Sequence, residues 1–175
     1  MIEQAQLERI IQKNNFMKYD KKNHLNLLKY SQKLEQEGKH LYDESREDFF
    51  KLREYSAMMI SHLNWENRAH YFELIEELLN GPINFLHLRK KYQSVSDAVE
   101  RLEAELILLD PMEPYDKAFG FTVLIDELVS LFDRYCPDPS IRESHELSEE
   151  ELRDLVKDIF IEMKERYPEN SKENV

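Results

Sequence analysis

The side chains able to do chemistry are plentiful in this chain, but their spacing rarely matches what a reaction needs. Six histidines are present: His24, His40, His62, His70, His87 and His145. A di-iron bundle requires Glu-x-x-His pairs on two helices. Only Glu37-Gly38-Lys39-His40 has that spacing, and its glycine marks a helix end. Adjacent carboxylates recur, as at Glu76-Glu77 and Glu149-Glu150-Glu151, but in a chain with 36 acids such pairs arise by chance. A catalytic pair also needs a pocket that separates the two pKa values, so these acids read as solvated helix faces. Cys136, the single cysteine, has Arg134 nearby and reads as a structural thiol rather than a nucleophile. Three scattered glycines cannot build a phosphate-binding loop, and there is no nucleophile elbow and no cysteine pair for zinc. The chain therefore reads as a binding protein and not an enzyme, with no catalytic residue, metal or cofactor expected.

Charge sharpens that reading. Residues 1–40 carry +3, residues 41–90 carry −3 and residues 91–175 carry −12, for a net −12. Phosphate contacts need Lys and Arg, so direct nucleic-acid binding by the C-terminal half is disfavoured. A protein partner with a basic surface is favoured instead. No run of about 18 apolar residues occurs, so no transmembrane helix is expected. The N-terminus has early acids and no apolar core, unlike a secretory signal. One cysteine allows no internal disulfide, which fits the cytoplasm or an equivalent reducing compartment such as an organelle stroma.

The elements that must position these residues are helices. Gly and Pro are scarce, and apolar residues recur at helical spacing in every long segment. A first helix is expected over residues 2–13. A second starts at Asp20 as N-cap, runs through Leu25, Leu28 and Leu34, and stops at Gly38. One long helix is expected over residues 43–63, with Phe49, Phe50, Leu52, Tyr55, Met59, Ile60 and Leu63 inward. Asn64 is expected to cap the next helix, which uses Trp65, Phe72, Ile75, Leu78 and Leu79 and ends at Asn80-Gly81-Pro82. Trp65, Tyr71 and Phe72 are read as core. A helix through Phe85, Leu88 and Tyr92 is expected to break at Ser94-Val95-Ser96-Asp97, before another through Val99, Leu102, Leu106 and Leu109. The prolines of residues 110–114 make a loop. Residues 119–135 are apolar on most sides, which places that helix centrally. Cys136-Pro137-Asp138-Pro139-Ser140 is expected to be a rigid loop. Ser148 followed by Glu151 is a capping box that opens a last amphipathic helix.

Two stretches go further. Tyr71-Phe72-Glu73-Leu74-Ile75-Glu76-Glu77-Leu78-Leu79-Asn80-Gly81 leads through Ile83 to Phe85-Leu86-His87-Leu88-Arg89-Lys90-Lys91-Tyr92. Leu128-Val129-Ser130-Leu131-Phe132-Asp133-Arg134-Tyr135-Cys136-Pro137-Asp138 leads into the Ser148 helix. This order, over roughly residues 70–166, resembles the colicin D-type immunity proteins, the bacterial self-protective immunity family. The resemblance implies a small antiparallel helical bundle. It also implies a surface that binds the catalytic domain of a tRNA-cleaving toxin and covers its active site, acids standing in for substrate phosphates. By position, Asp133 and Asp138 look like acids of that surface, while Cys136 stands where a further acid is expected.

The resulting expectation is an all-α antiparallel helical bundle with an N-terminal helical extension. Residues 1–69 form the extension or docking arm, residues 70–167 the immunity-like bundle and residues 168–175 a disordered tail. The partner-binding residues are Asp133, Arg134, Asp138 and Glu143, around the proline-stiffened turn. The expected partner is a basic protein, either a ribonuclease toxin domain or a larger assembly. The alternative function is that of a structural or assembly subunit.

Overall fold

The computed structural model describes residues 19–81, 84–101 and 116–168. Among these, the chain forms seven helices and no strand. They are α1 Lys21–Gln36, α2 Leu41–Glu44, α3 Arg46–Glu66, α4 Arg68–Asn80, α5 Phe85–Arg101, α6 Asp116–Asp133 and α7 Glu149–Arg166. The expected all-α helical fold is the observed one. No helix among the described residues is long and apolar enough to cross a membrane. The helix expected over residues 2–13, the segment 102–115 with its two-proline loop, and the tail beyond Pro168 lie outside the described residues.

The described residues divide into two compact units, one of residues 19–59 with 101 and 116 and one of residues 60–100 and 117–168, the first division falling within α3. In the first, Asp20 caps α1 as expected, its carboxylate accepting from the Asn23 amide at 2.9 Å. The helix ends where Gly38 takes a φ of +71°, in the left-handed region that favours glycine. The Lys39 and Gly38 amides then reach back to the Leu34 and Glu35 carbonyls. The buried face of α1 is His24, Leu27 and Leu34, one register away from the expected Leu25 and Leu28. The histidine itself explains the shift. His24 is wholly buried, with Tyr19 Oη 3.1 Å from Nδ1 and Ser56 Oγ 3.5 Å from Nε2, so each ring nitrogen faces a hydroxyl. Tyr55 packs on both rings, with centroids 5.6 Å from Tyr19 and 5.5 Å from His24. The long helix expected over residues 43–63 is broken at Ser45, whose backbone is extended and whose hydroxyl accepts from the Asp48 amide at 3.3 Å. Ser45 thus caps α3. Of the inward residues expected there, Tyr55 and Met59 are buried, while Phe50 is 54% exposed.

The second unit is built on aromatic packing around a buried asparagine. Phe121 of α6 is fully buried against Trp65, Tyr71, Phe72 and Tyr167. Gly120 makes this close approach possible, since a Cβ there would stand 2.1 Å from Tyr167 Oη. Asn64, expected to cap the next helix, lies inside α3 instead and is wholly buried. Its carboxamide accepts from Tyr71 Oη at 2.8 Å and donates to Thr122 Oγ1 at 3.2 Å. Asn64 and Trp65, which the sequence reading placed in the 1–69 segment, therefore belong to the core of the second unit. Gly81 ends α4 in extended backbone and not in the left-handed region, with φ −123° and ψ −176°. The expected break at residues 94–97 does not occur, and α5 runs through it. Ser94 donates to the Lys91 carbonyl, Gln93 donates to Asp97, and Val95 is buried, so the polar groups are satisfied without leaving the helix. Trp65, Tyr71 and Phe72 are all buried, as core packing predicts.

Two outcomes follow. Burial holds His24 neutral, its pKa pushed down to about 4 from the ordinary histidine value of 6.5. The unfolded chain binds that proton near 6.5, so stability is fully present above that pH and is lost as pH falls toward 4, by up to about 3 kcal/mol. Urea unfolding at pH 7 and 4.5 reads this, and His24→Gln should flatten the decline. An unchanged pH slope in His24→Gln would reject the assignment. Replacing Asn64 with Ala should cost about 3 kcal/mol, because it leaves a buried Tyr71 hydroxyl unpaired and opens a void. A loss below about 1 kcal/mol, the low end for an unpaired buried group, would show that water takes over the bond.

Candidate partner-binding site

The expected site falls on the connection between α6 and α7, which is a closed loop and not a loose linker. Its base is a bridge between Tyr135 and Leu147. The Cys136 amide donates to the Leu147 carbonyl at 3.0 Å, and the Leu147 amide donates to the Arg134 carbonyl at 2.7 Å. A compact loop whose ends meet in this way is held by its own side chains. Arg142 Nε donates across it to the Cys136 carbonyl at 2.9 Å, and Arg134 Nε donates to the His145 carbonyl at 3.1 Å. The described backbone has no non-glycine residue in the left-handed region, so the loop is unstrained.

Both ends are anchored to helices. Ser148 caps α7 in the expected capping box, accepting from the Glu151 amide at 3.2 Å while its own amide donates to the Glu151 carboxylate at 2.9 Å. One turn on, Arg153 reaches α4. It donates to the Leu78 carbonyl at 2.8 Å and the Leu79 carbonyl at 3.2 Å, and also to that of Gly81, while Glu149 holds it at 2.9 Å. A guanidinium on the last carbonyls of a helix satisfies acceptors that lack internal partners and meets the negative end of the helix dipole.

The four expected residues are brought onto this one structure, and all four are exposed. Asp133 pairs with Arg89 of α5 at 3.4 Å, with both side chains 56% exposed. Water screens such a pair, so it leaves the carboxylate available. Arg134 is occupied with the loop backbone through Nε. Asp138 accepts from the Ser140 amide at 2.8 Å and from its hydroxyl at 2.7 Å, and these two bonds hold its carboxyl below the usual carboxylate range. Glu143 forms a tight turn with Glu146 and lies 3.5 Å from His145 Nδ1. Cys136 is buried as a structural thiol, its Sγ 3.6 Å from the Asp138 carbonyl. Chemically, Asp133 at the end of α6 and Asp138 and Glu143 on the loop present three exposed acids to solvent beside Arg134, and are suited to complementing positive charge.

Sequence reasoning missed Ser140, Arg142 and Arg153. Ser140 was legible in principle, because an Asp with a Ser two residues on is the pattern of a side-chain turn. The Arg142 bond and the Arg153 bonds to α4 end on backbone carbonyls, which carry no residue-type signal, whereas the Glu149–Arg153 pair has the i,i+4 spacing that a helix brings together. Comparison of the chain with protein-family models, with curated proteins and with solved structures returns no match.

If Arg142 braces the loop, Arg142→Ala should speed hydrogen exchange at the Cys136 and Leu147 amides about tenfold, the effect of one lost charge-assisted bond on local opening. The melting temperature should hardly move. Exchange rates equal to those of the unaltered chain would show that the bridge alone closes the loop.

Proposed function

We propose that this protein is a non-enzymatic, acidic helical binding protein that inhibits or sequesters a basic partner through the α6–α7 loop. The observation that carries the reading is that Asp138 and Glu143 stand exposed on a loop already closed by its own hydrogen bonds, with Asp133 exposed at the end of α6 that leads into it. A preformed acidic surface loses little freedom on binding and steers a basic protein into encounter. A ribonuclease carries Lys and Arg where it grips RNA, so acids placed there exclude substrate by charge and by volume. That mechanism is the one implied by the resemblance to colicin D-type immunity proteins, and it would act in the cytoplasm or a similar reducing compartment. The experiment is association kinetics with a basic ribonuclease domain at two ionic strengths. Asp133→Asn with Asp138→Asn should slow association roughly tenfold at low salt and flatten its salt dependence, with an unchanged melting curve. Unchanged kinetics reject this surface as the binding site.

A second reading, a structural or assembly subunit, is favoured by a different observation. In the first unit Tyr42, Phe49 and Phe50 form an edge-to-face cluster with centroids 5.2, 5.6 and 6.4 Å apart. Tyr42 and Phe50 are exposed, and Arg46 and Arg53 stand over the Tyr42 and Phe49 rings. Exposed aromatics with Arg are the residue types that anchor stable interfaces. Recovery of the chain at fixed stoichiometry in a large assembly decides for this reading.

A further inference from the structure

The acidic loop also carries an apolar residue that the acids do not explain. Ile141 is 70% exposed, the highest value among the exposed large apolar side chains of the described residues. It lies between Asp138 and Glu143, and Pro137 and Pro139 just before it are exposed as well. The position is fixed. The Ile141 amide donates to the Asp138 carbonyl at 3.4 Å, the preceding Ser140 is bonded to the Asp138 carboxylate, and the following Arg142 is tied to the Cys136 carbonyl. An isoleucine on a slack loop would fold back onto apolar surface, whereas here both neighbours are spent on the loop and Ile141 is held in water.

We infer that Ile141 is the apolar anchor of this loop, seating in an apolar recess of a partner protein whose rim is basic. The inference rests on the proposed acidic-loop reading and adds to it the source of affinity. Charges on a solvated rim set encounter rate and register more than they hold a complex together. Binding strength comes from a central apolar side chain that is desolvated on docking and ringed by polar contacts. Ile141 stands along the loop between the exposed acids Asp138 and Glu143, an apolar side chain with charged neighbours. The backbone at Ile141 is already held by the loop's hydrogen bonds, so seating the side chain costs little further backbone freedom. The charge of the chain selects the rim chemistry, and the branched aliphatic side chain selects the recess.

The test uses the full chain and two fluorescent peptides, deca-lysine and an alternating Lys–Leu decapeptide, titrated by anisotropy at low salt. The unaltered chain should bind the Lys–Leu peptide about fivefold more tightly than deca-lysine, a modest part of what burying one aliphatic side chain supplies. Ile141→Ser should abolish that preference and leave deca-lysine binding unchanged. Ile161→Ser, at a 47% exposed apolar position on α7, should keep it. A preference retained in Ile141→Ser, or lost equally in Ile161→Ser, overturns the anchor while the acidic loop stands. Deca-lysine binding that is unaffected by Asp133→Asn with Asp138→Asn, or no binding of either peptide, rejects the acidic-loop reading and the anchor with it.

Discussion

Asn64 is wholly buried, and its carboxamide meets a hydroxyl from each of two other helices, Tyr71 of α4 and Thr122 of α6. A buried amide without partners would be costly, so the three side chains constrain one another. Apolar packing tolerates sliding by a fraction of a turn, and hydrogen bonds at 2.8 and 3.2 Å do not. The bond pair therefore fixes the rotation and height of α4 and α6 relative to the end of α3. Phe121, next to Thr122, is thereby set against Trp65 and Tyr167, and α6 delivers Asp133 and Arg134 at its far end in a defined orientation.

The loop depends on that frame at both of its ends. It begins on α6 and ends at the capping box of α7, and Arg153 of α7 binds the terminal carbonyls of α4. The α4 terminus thus braces the helix that closes the loop. Lysine could not replace Arg153, because one ammonium cannot span carbonyls of three residues and a carboxylate in a single planar fork.

Local chemistry was legible in the sequence wherever a residue type demands one backbone state. Asp20 and Ser148 announced their helix starts and Gly38 its helix end, and the apolar periodicity gave the helical class. Two of the errors, at His24 and Asn64, came where a partner outside the element overrode a local preference. His24 is in the core because Tyr19 and Ser56 bring hydroxyls to it, and nothing within α1 says so. Ser94 and Asp97 read as a break, yet both find partners without leaving α5. Asn64 read as a cap because its two partners, Tyr71 and Thr122, lie on later helices. At the candidate site, the acids and stiffening prolines were visible as residue types. The closure of the loop was not, because it is made largely of bonds to backbone carbonyls, and neither was the display of Ile141.

Cys136 has a practical consequence. It is the chain's single thiol, it is buried, and its own amide and carbonyl take part in closing the loop. A thiol reagent reaches the sulfur most readily when those bonds have parted. The molecule thus carries a native reporter of loop opening, with no label to introduce. Its rate of alkylation measures how often the acidic surface comes apart, and a bound partner that clamps the loop would be registered as protection of a sulfur it need not touch.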